Sequence, residues 1–163
     1  MSSVQDIRQG VESIISGLTP EVRAWCTFRK ANTRVQLEVL PVSGTADETT
    51  RQFRVVPGPV EGEGLHNGID VDLTIPVEVQ VRYLVDASGD AAGADELVDD
   101  MISSDSVRIL AGVLRPNLAT NPAVSMVPQI DIRFESSDVY DSPEVDGIRI
   151  LVMRFRAHYY AEV

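Results

Sequence analysis

Residues 69–83 alternate without a miss. Ile69, Val71, Leu73, Ile75, Val77, Val79, Val81 and Tyr83 fall on one parity; Asp70, Asp72, Thr74, Pro76, Glu78, Gln80 and Arg82 fall on the other. Successive side chains of a strand point to opposite faces, so the run has one apolar and one polar face. Fifteen extended residues span about 50 Å, against about 17–20 Å for an ordinary strand. A strand of this length overruns the core of a 163-residue domain. Its excess calls for a partner, inside the chain or outside it. Pro76 cannot donate to a ladder, which predicts an edge position, a bulge or a bend at that point.

The rest of the chain reads as the surroundings of that strand. Val4, Ile7, Val11, Ile14, Ile15 and Leu18 recur at helical spacing, predicting a helix over residues 3–18 with Ser3 as its cap and Asp6 in the first turn. Residues 22–29 and 34–40 read as a hairpin, and 50–56 as a third strand with Phe53 and Val55 inward. Residues 57–68 hold four glycines and read as a surface loop, and residues 86–93 as a flexible connection. Leu97, Val98, Met101, Ile102, Val107, Leu110, Val113 and Leu114 predict a helical stretch from about 94 to 115. Ser103, Ser104, Asp105 and Ser106 interrupt it. Either the helix continues past an exposed polar turn, or two helices meet there with Ser104 or Asp105 as a cap. Alternation returns over 124–136 and 147–161, giving a terminal antiparallel hairpin joined by an acidic turn. The expected architecture is one α+β domain over residues 1–163. A mostly antiparallel sheet with long hairpin strands carries an N-terminal helix and a central helical segment.

Charge narrows the function classes. Lys and Arg number 14 against 25 Asp and Glu, a net charge of −11. The imbalance lies in residues 58–163, with 7 basic and 19 acidic side chains, whereas residues 1–57 carry 7 and 6. Such a surface repels phosphates and argues against tight nucleic-acid binding. It serves solubility, or it faces a basic partner, or it lines a passage to which nucleic acid must not stick. Thirteen of the fourteen cations are Arg, the better residue for planar interface pairs. The single cysteine, Cys26, excludes an internal disulfide and fits a reducing compartment. No membrane span and no signal peptide is read in the sequence.

No catalytic, cofactor-binding or metal-ligating set emerges. Cys26 sits in a strand pattern with no histidine near it, which predicts a packed thiol. His66 and His158 are too scattered to form a metal site with it. The glycines of 57–68 are followed by a strand, not a helix with Lys and Ser/Thr, so a phosphate cradle is not expected. Asp138, Asp141, Glu144 and Asp146 lack the alternate spacing of a calcium loop and read as a solvated turn. The carboxylates between Asp86 and Asp105 read as a negative helix face, whose functional version is a contact with a neighbour's basic patch. Arg154 and Arg156 share a strand face with Ile150 and Val152, a mixture that suits solvent or a subunit contact. Together with Val79 and Val81 of the long strand, they are the candidate subunit-interface residues.

The whole chain resembles the tail terminator (tail completion) proteins of long-tailed bacteriophages and related phage-like particles. The resemblance is carried by the opening Val4-Gln-Asp-Ile-Arg helix, the Arg51-Gln-Phe-Arg-Val55 strand and the long strand ending in Val-Arg-Tyr83. The helix over 95–114 and the closing strand over 150–160 complete it. It is one of element order and length, without a signature motif, so no family residue carries over. It implies a structural virion protein, not an enzyme, with no cofactor. The chain would form a hexameric ring that ends tail-tube polymerisation. Its expected partners are copies of itself, the tail tube protein and a head connector or head-completion protein, with DNA passing through unbound and no membrane. Its expected locations are the virion tail and, during assembly, the host cytoplasm. Another neck or head-completion component, or a small-ligand-binding α+β domain, are the alternative readings.

Overall fold

A computed structural model describes residues 4–24, 26–31, 50–66, 70–85, 91–114, 131–143 and 147–162. In chain order the elements are α1 (Val4–Ser16), β1 (Arg29–Lys30), β2 (Gln52–Pro57), β3 (Glu61–His66), β4 (Asp70–Leu84), α2 (Ala91–Val113), β5 (Asp131–Asp141) and β6 (Ile148–Glu162). The fold is α+β: among the described residues two helices lie against a mostly antiparallel six-stranded sheet of order β1-β2-β4-β6-β5, with β3 also pairing β4. Among the described strands only β1 and β2 run parallel. The hairpin expected for 22–29 with 34–40 does not describe the first of these segments. Of its described residues only Arg29 lies in a strand, which with Lys30 pairs with β2; residues 34–40 lie outside the described residues.

The long strand is central. β4 pairs with β6 in an unbroken antiparallel register from Asp70↔Glu162 to Leu84↔Ile148. Its other edge is shared by two strands laid end to end, β2 along Val77–Arg82 and β3 along Asp70–Thr74. Both edges of the overrun are therefore paired within the chain. This also corrects the reading of 57–68 as a loop, since Glu61–His66 is a strand. Pro76 does not end β4, whose register with β6 runs through it unbroken. Its carbonyl accepts a bond from the Gly58 amide at 2.7 Å, so its backbone faces the step between β2 and β3. In an antiparallel strand the amide and carbonyl of one residue point to the same side. The missing donor therefore falls where the chain turns from β2 to β3, and the β6 ladder is untouched.

The core lies between the sheet and the helices. Ile75, Val77, Val79, Val81 and Tyr83 of β4, Leu151, Met153, Phe155 and Ala157 of β6, and Phe53 and Val55 of β2 are all buried. They meet Ile7, Val11, Ile14 and Ile15 of α1 and Val98, Met101, Ile102, Ile109 and Val113 of α2. Each such aliphatic side chain contributes about 1.5–3 kcal/mol when withdrawn from water. α2 is continuous through Ser103–Ser106, and Ser106 bonds back to the Ile102 carbonyl at 2.6 Å. The helices touch closely at Gly112, where an added Cβ would lie 3.1 Å from both Ile14 and Leu18. A second, smaller buried cluster lies on the opposite sheet face. It holds Ala31, Ile148, Ile150 and Val152, flanked by Leu84 and Tyr140.

Candidate assembly surface

The sheet face turned away from the helices carries the even-numbered residues of β4 and β6. At the end occupied by Ile150 and Val152 it is buried, and Arg82 lies buried opposite Ile150. Toward Pro76 it changes character and becomes a lattice of charges. Arg154 donates to Asp138 of β5 at 2.6 Å and lies 3.7 Å from Glu78 of β4. Arg156 donates to Glu135 of β5 at 2.6 Å and to Glu61 of β3 at 3.3 Å. The two guanidiniums are thus tied to three neighbouring strands by carboxylates. Their side chains are 40% and 39% exposed. Both are held above the ordinary arginine range, Arg154 first by its bond to Asp138 and Arg156 first by its bond to Glu135.

The four residues singled out from the sequence separate onto two faces. Arg154 and Arg156 lie on the outer face, each already satisfied by two carboxylates of its own chain. Val79 and Val81 lie on the helix side, fully buried among core residues. The expectation that they reach a neighbouring subunit is corrected: they are packing residues. The alternation was read rightly, but period two does not say which face remains open. The acidic turn is corrected in the same way. Asp138 and Asp141 belong to a strand, with Asp138 on Arg154 and Asp141 on Arg149 at 3.0 Å. Glu144 and Asp146 lie outside the described residues.

Two shallow depressions of about 390 and 220 Å³ open on the charged half. Thr74, Arg133, Glu135, Arg156 and His158 contribute to the first, and Gly58, Pro76, Glu78 and Arg154 to the second. Among the described residues no group of His, Cys, Asp or Glu is arranged to hold a metal ion. Cys26 is buried, and its thiol donates to the Thr50 carbonyl at 3.6 Å. No described helix is long and apolar enough to cross a membrane.

A buried ion pair anchors α2 beneath the sheet. Arg51 and Asp105 are both fully buried. The Arg51 Nε donates to Asp105 Oδ2 at 2.7 Å and Nη2 to Oδ1 at 3.1 Å. The remaining donors reach the carbonyls of Arg23 and Cys26 at 2.8 Å each, and that of Val22. All five guanidinium donors are therefore used. The Tyr83 hydroxyl donates to Asp105 Oδ2 at 2.7 Å. Arg51 holds a left-handed backbone, φ 64°, as does Arg23 at 52°. Such conformations cost about 1–3 kcal/mol and persist where surroundings hold them. Here the two arginines are joined through the network. Asp105 is predicted from the sequence as a cap or an exposed polar residue. It instead occupies the core stripe of α2, between Met101 and Ile109, at the spacing of a buried position.

No protein-family model matches the chain, and no curated protein matches it.

Proposed function

We propose that this chain is a structural assembly protein, a tail terminator that caps the tail tube as a ring, hexameric by the resemblance, and joins it to the head connector. The observation that carries the reading is the β4/β6 ribbon. Its fully buried helix-side positions in β4 run from Ile75 to Tyr83, while its backbone pairing continues to Asp70 and Glu162 with β3 alongside. A small domain that invests its two longest strands, fifteen residues each, in one continuous ribbon has a rigid framework on which a ring contact can be built. The element order supports the same reading: an N-terminal helix, a long central strand, a second helix and a closing hairpin. The charged outer face adds to it. Its arginines are screened by carboxylates, which suits a surface beside DNA that must not be held.

The test is to purify the chain and mix it with the tail tube protein of the same genome, then image the products by electron microscopy. Rings at tube ends, and shorter tubes as the protein is added, are the expected result. A protein that stays monomeric at high concentration and forms no ring beside tubes would overturn the proposal. Stacked rings or tubes from the protein alone would move it to another neck component.

A further inference from the structure

We infer that the outer edge of β5 is a self-pairing surface whose occupant is β5 of a second copy, antiparallel about a two-fold axis at Ser137. The inference stands without the tail reading. β5 closes the sheet on one side, and among the described residues its only strand partner is β6. Arg133, Phe134, Glu135, Ser137, Asp138, Val139 and Asp141 are exposed. Phe134 and Val139 lie on the helix side of the sheet, yet are 38% and 49% exposed. With no second strand partner among the described residues and two uncovered apolar side chains, this edge is a template for another strand.

The pattern of β5 reads the same from both directions. The register with β6 shifts between Phe134 and Ser136, so one extra residue is inserted there. Phe134 points to the helix side, 5.7 Å from the ring of Phe155. Glu135 and Ser136 both meet outer-face arginines, Arg156 and Arg154. From Ser137 alternation resumes, with Ser137 and Val139 opposite core-side residues of β6 and Asp138 and Tyr140 opposite outer-face ones. With a two-fold axis at Ser137, Asp138 of one copy faces the Glu135–Ser136 bulge of the other. Val139 then faces Phe134, and Tyr140 faces Arg133. Every facing pair shares a face, which a two-fold contact requires. A slip of one residue sets Phe134 and Val139 against outer-face residues and loses both apolar pairs.

Charge does not drive this register, and the pairing rests on the apolar contact. Asp138 and Glu135 would meet across the axis, a repulsive pair if bare. Each is held at 2.6 Å by an arginine of its own chain, Arg154 and Arg156 respectively. Because the contact is two-fold it closes on itself, giving dimers and not fibres.

Ser137→Cys tests the axis. Facing residues of an antiparallel pair have Cα atoms about 4.5–5.5 Å apart, within disulfide range. Mild oxidation should link Ser137→Cys into dimers about tenfold or more faster than Ser103→Cys, a control on the exposed face of α2. Sedimentation of the unmodified chain should show a concentration-dependent dimer, weakened about tenfold or more by Val139→Lys. Melting curves of the variants establish that they are folded. A monomer at every concentration, with Ser137→Cys no faster than the control, overturns the inference. So does a dimer that Val139→Lys leaves intact. Rings in which Ser137→Cys does not cross-link would sink this contact and leave the tail reading standing.

Discussion

A Cβ built on Gly58 lies 2.5 Å from Cγ of Pro76. The glycine therefore sits against the ring of the one proline in β4, at the step where β2 hands its edge of that strand to β3. A proline ring cannot rotate aside as a flexible side chain would. Gly58→Ala should cost about 1–3 kcal/mol, the usual range for overpacking. Most of that loss should vanish when Pro76 is also replaced by Ala. Urea unfolding of the two single variants and the double variant measures the coupling. Equal losses in both backgrounds would show that the ring is not the obstacle.

Removing the carboxylate of Asp105 strands a buried guanidinium. Asp105→Ala should destabilise the fold by about 3–5 kcal/mol, the cost of breaking a buried pair from one side. Tyr83→Phe removes only the hydroxyl that donates to Asp105. It should cost about 1.5–3 kcal/mol, as for a hydrogen bond to a charged group. Denaturation midpoints of both variants give the ranking, and an Asp105→Ala variant as stable as the unmodified chain would contradict the network.

The same tyrosine sets an alkaline limit. Burial first, then the Asp105 charge and hydrogen bond, raise the Tyr83 hydroxyl well above its ordinary 10.0. Above that pH the unfolded chain releases the phenolic proton while the folded chain keeps it. The stabilisation is thus complete below about pH 10 and is lost as pH rises toward the folded value. Unfolding midpoints from pH 8 to 11 should fall more steeply for the unmodified chain than for Tyr83→Phe. Parallel curves would exclude Tyr83 as the source.

Charge reversal on the outer face separates folding from assembly. Arg154→Glu and Arg156→Glu each face two carboxylates of the same chain, so both should loosen the lattice between β3, β4, β5 and β6. Exposed pairs contribute little to stability, so both variants should fold and give native circular dichroism. Under the proposed function they should form fewer rings on tail tubes, counted by electron microscopy. Undiminished rings would remove this face from assembly.

Gly112 tests the helix contact. Leucine there would drive its side chain into Ile14 and Leu18, so Gly112→Leu should lower the melting temperature markedly. Gly112→Ala sets the gain of helix propensity, about 1 kcal/mol, against a 3.1 Å approach, and should change stability far less. A Gly112→Leu variant as stable as the unmodified chain would show that the helices can part there.

What the sequence made legible was whatever a local period encodes. Alternation at 69–83 marks β4 to within a residue at each end, and Phe53 and Val55 point inward as expected. The spacing of Ile7, Val11 and Ile14 marks α1. Contacts between distant segments were not legible. Asp105 is a polar residue in a polar run until Arg51, fifty-four positions away, is set against it. Its place on the apolar stripe between Met101 and Ile109 was the available signal. β3 was hidden because glycines weaken a strand pattern, and its pairing is supplied by β4. Val79 and Val81 were misplaced as interface residues because a strand does not announce which of its faces the helices will cover.

The position of β6 sets a schedule. It is the last of the described strands in chain order, yet it lies inside the sheet, inserted between β4 and β5. Until it is synthesised, β4 has β2 and β3 on one edge and an open ladder on the other, and the valines later sealed against the helices lack half their floor. Contacts separated by so much chain are slow to form. Ribosome-bound intermediates should therefore keep this ladder exposed until β6 emerges, and a chain cut short of β6 should aggregate or be cleared.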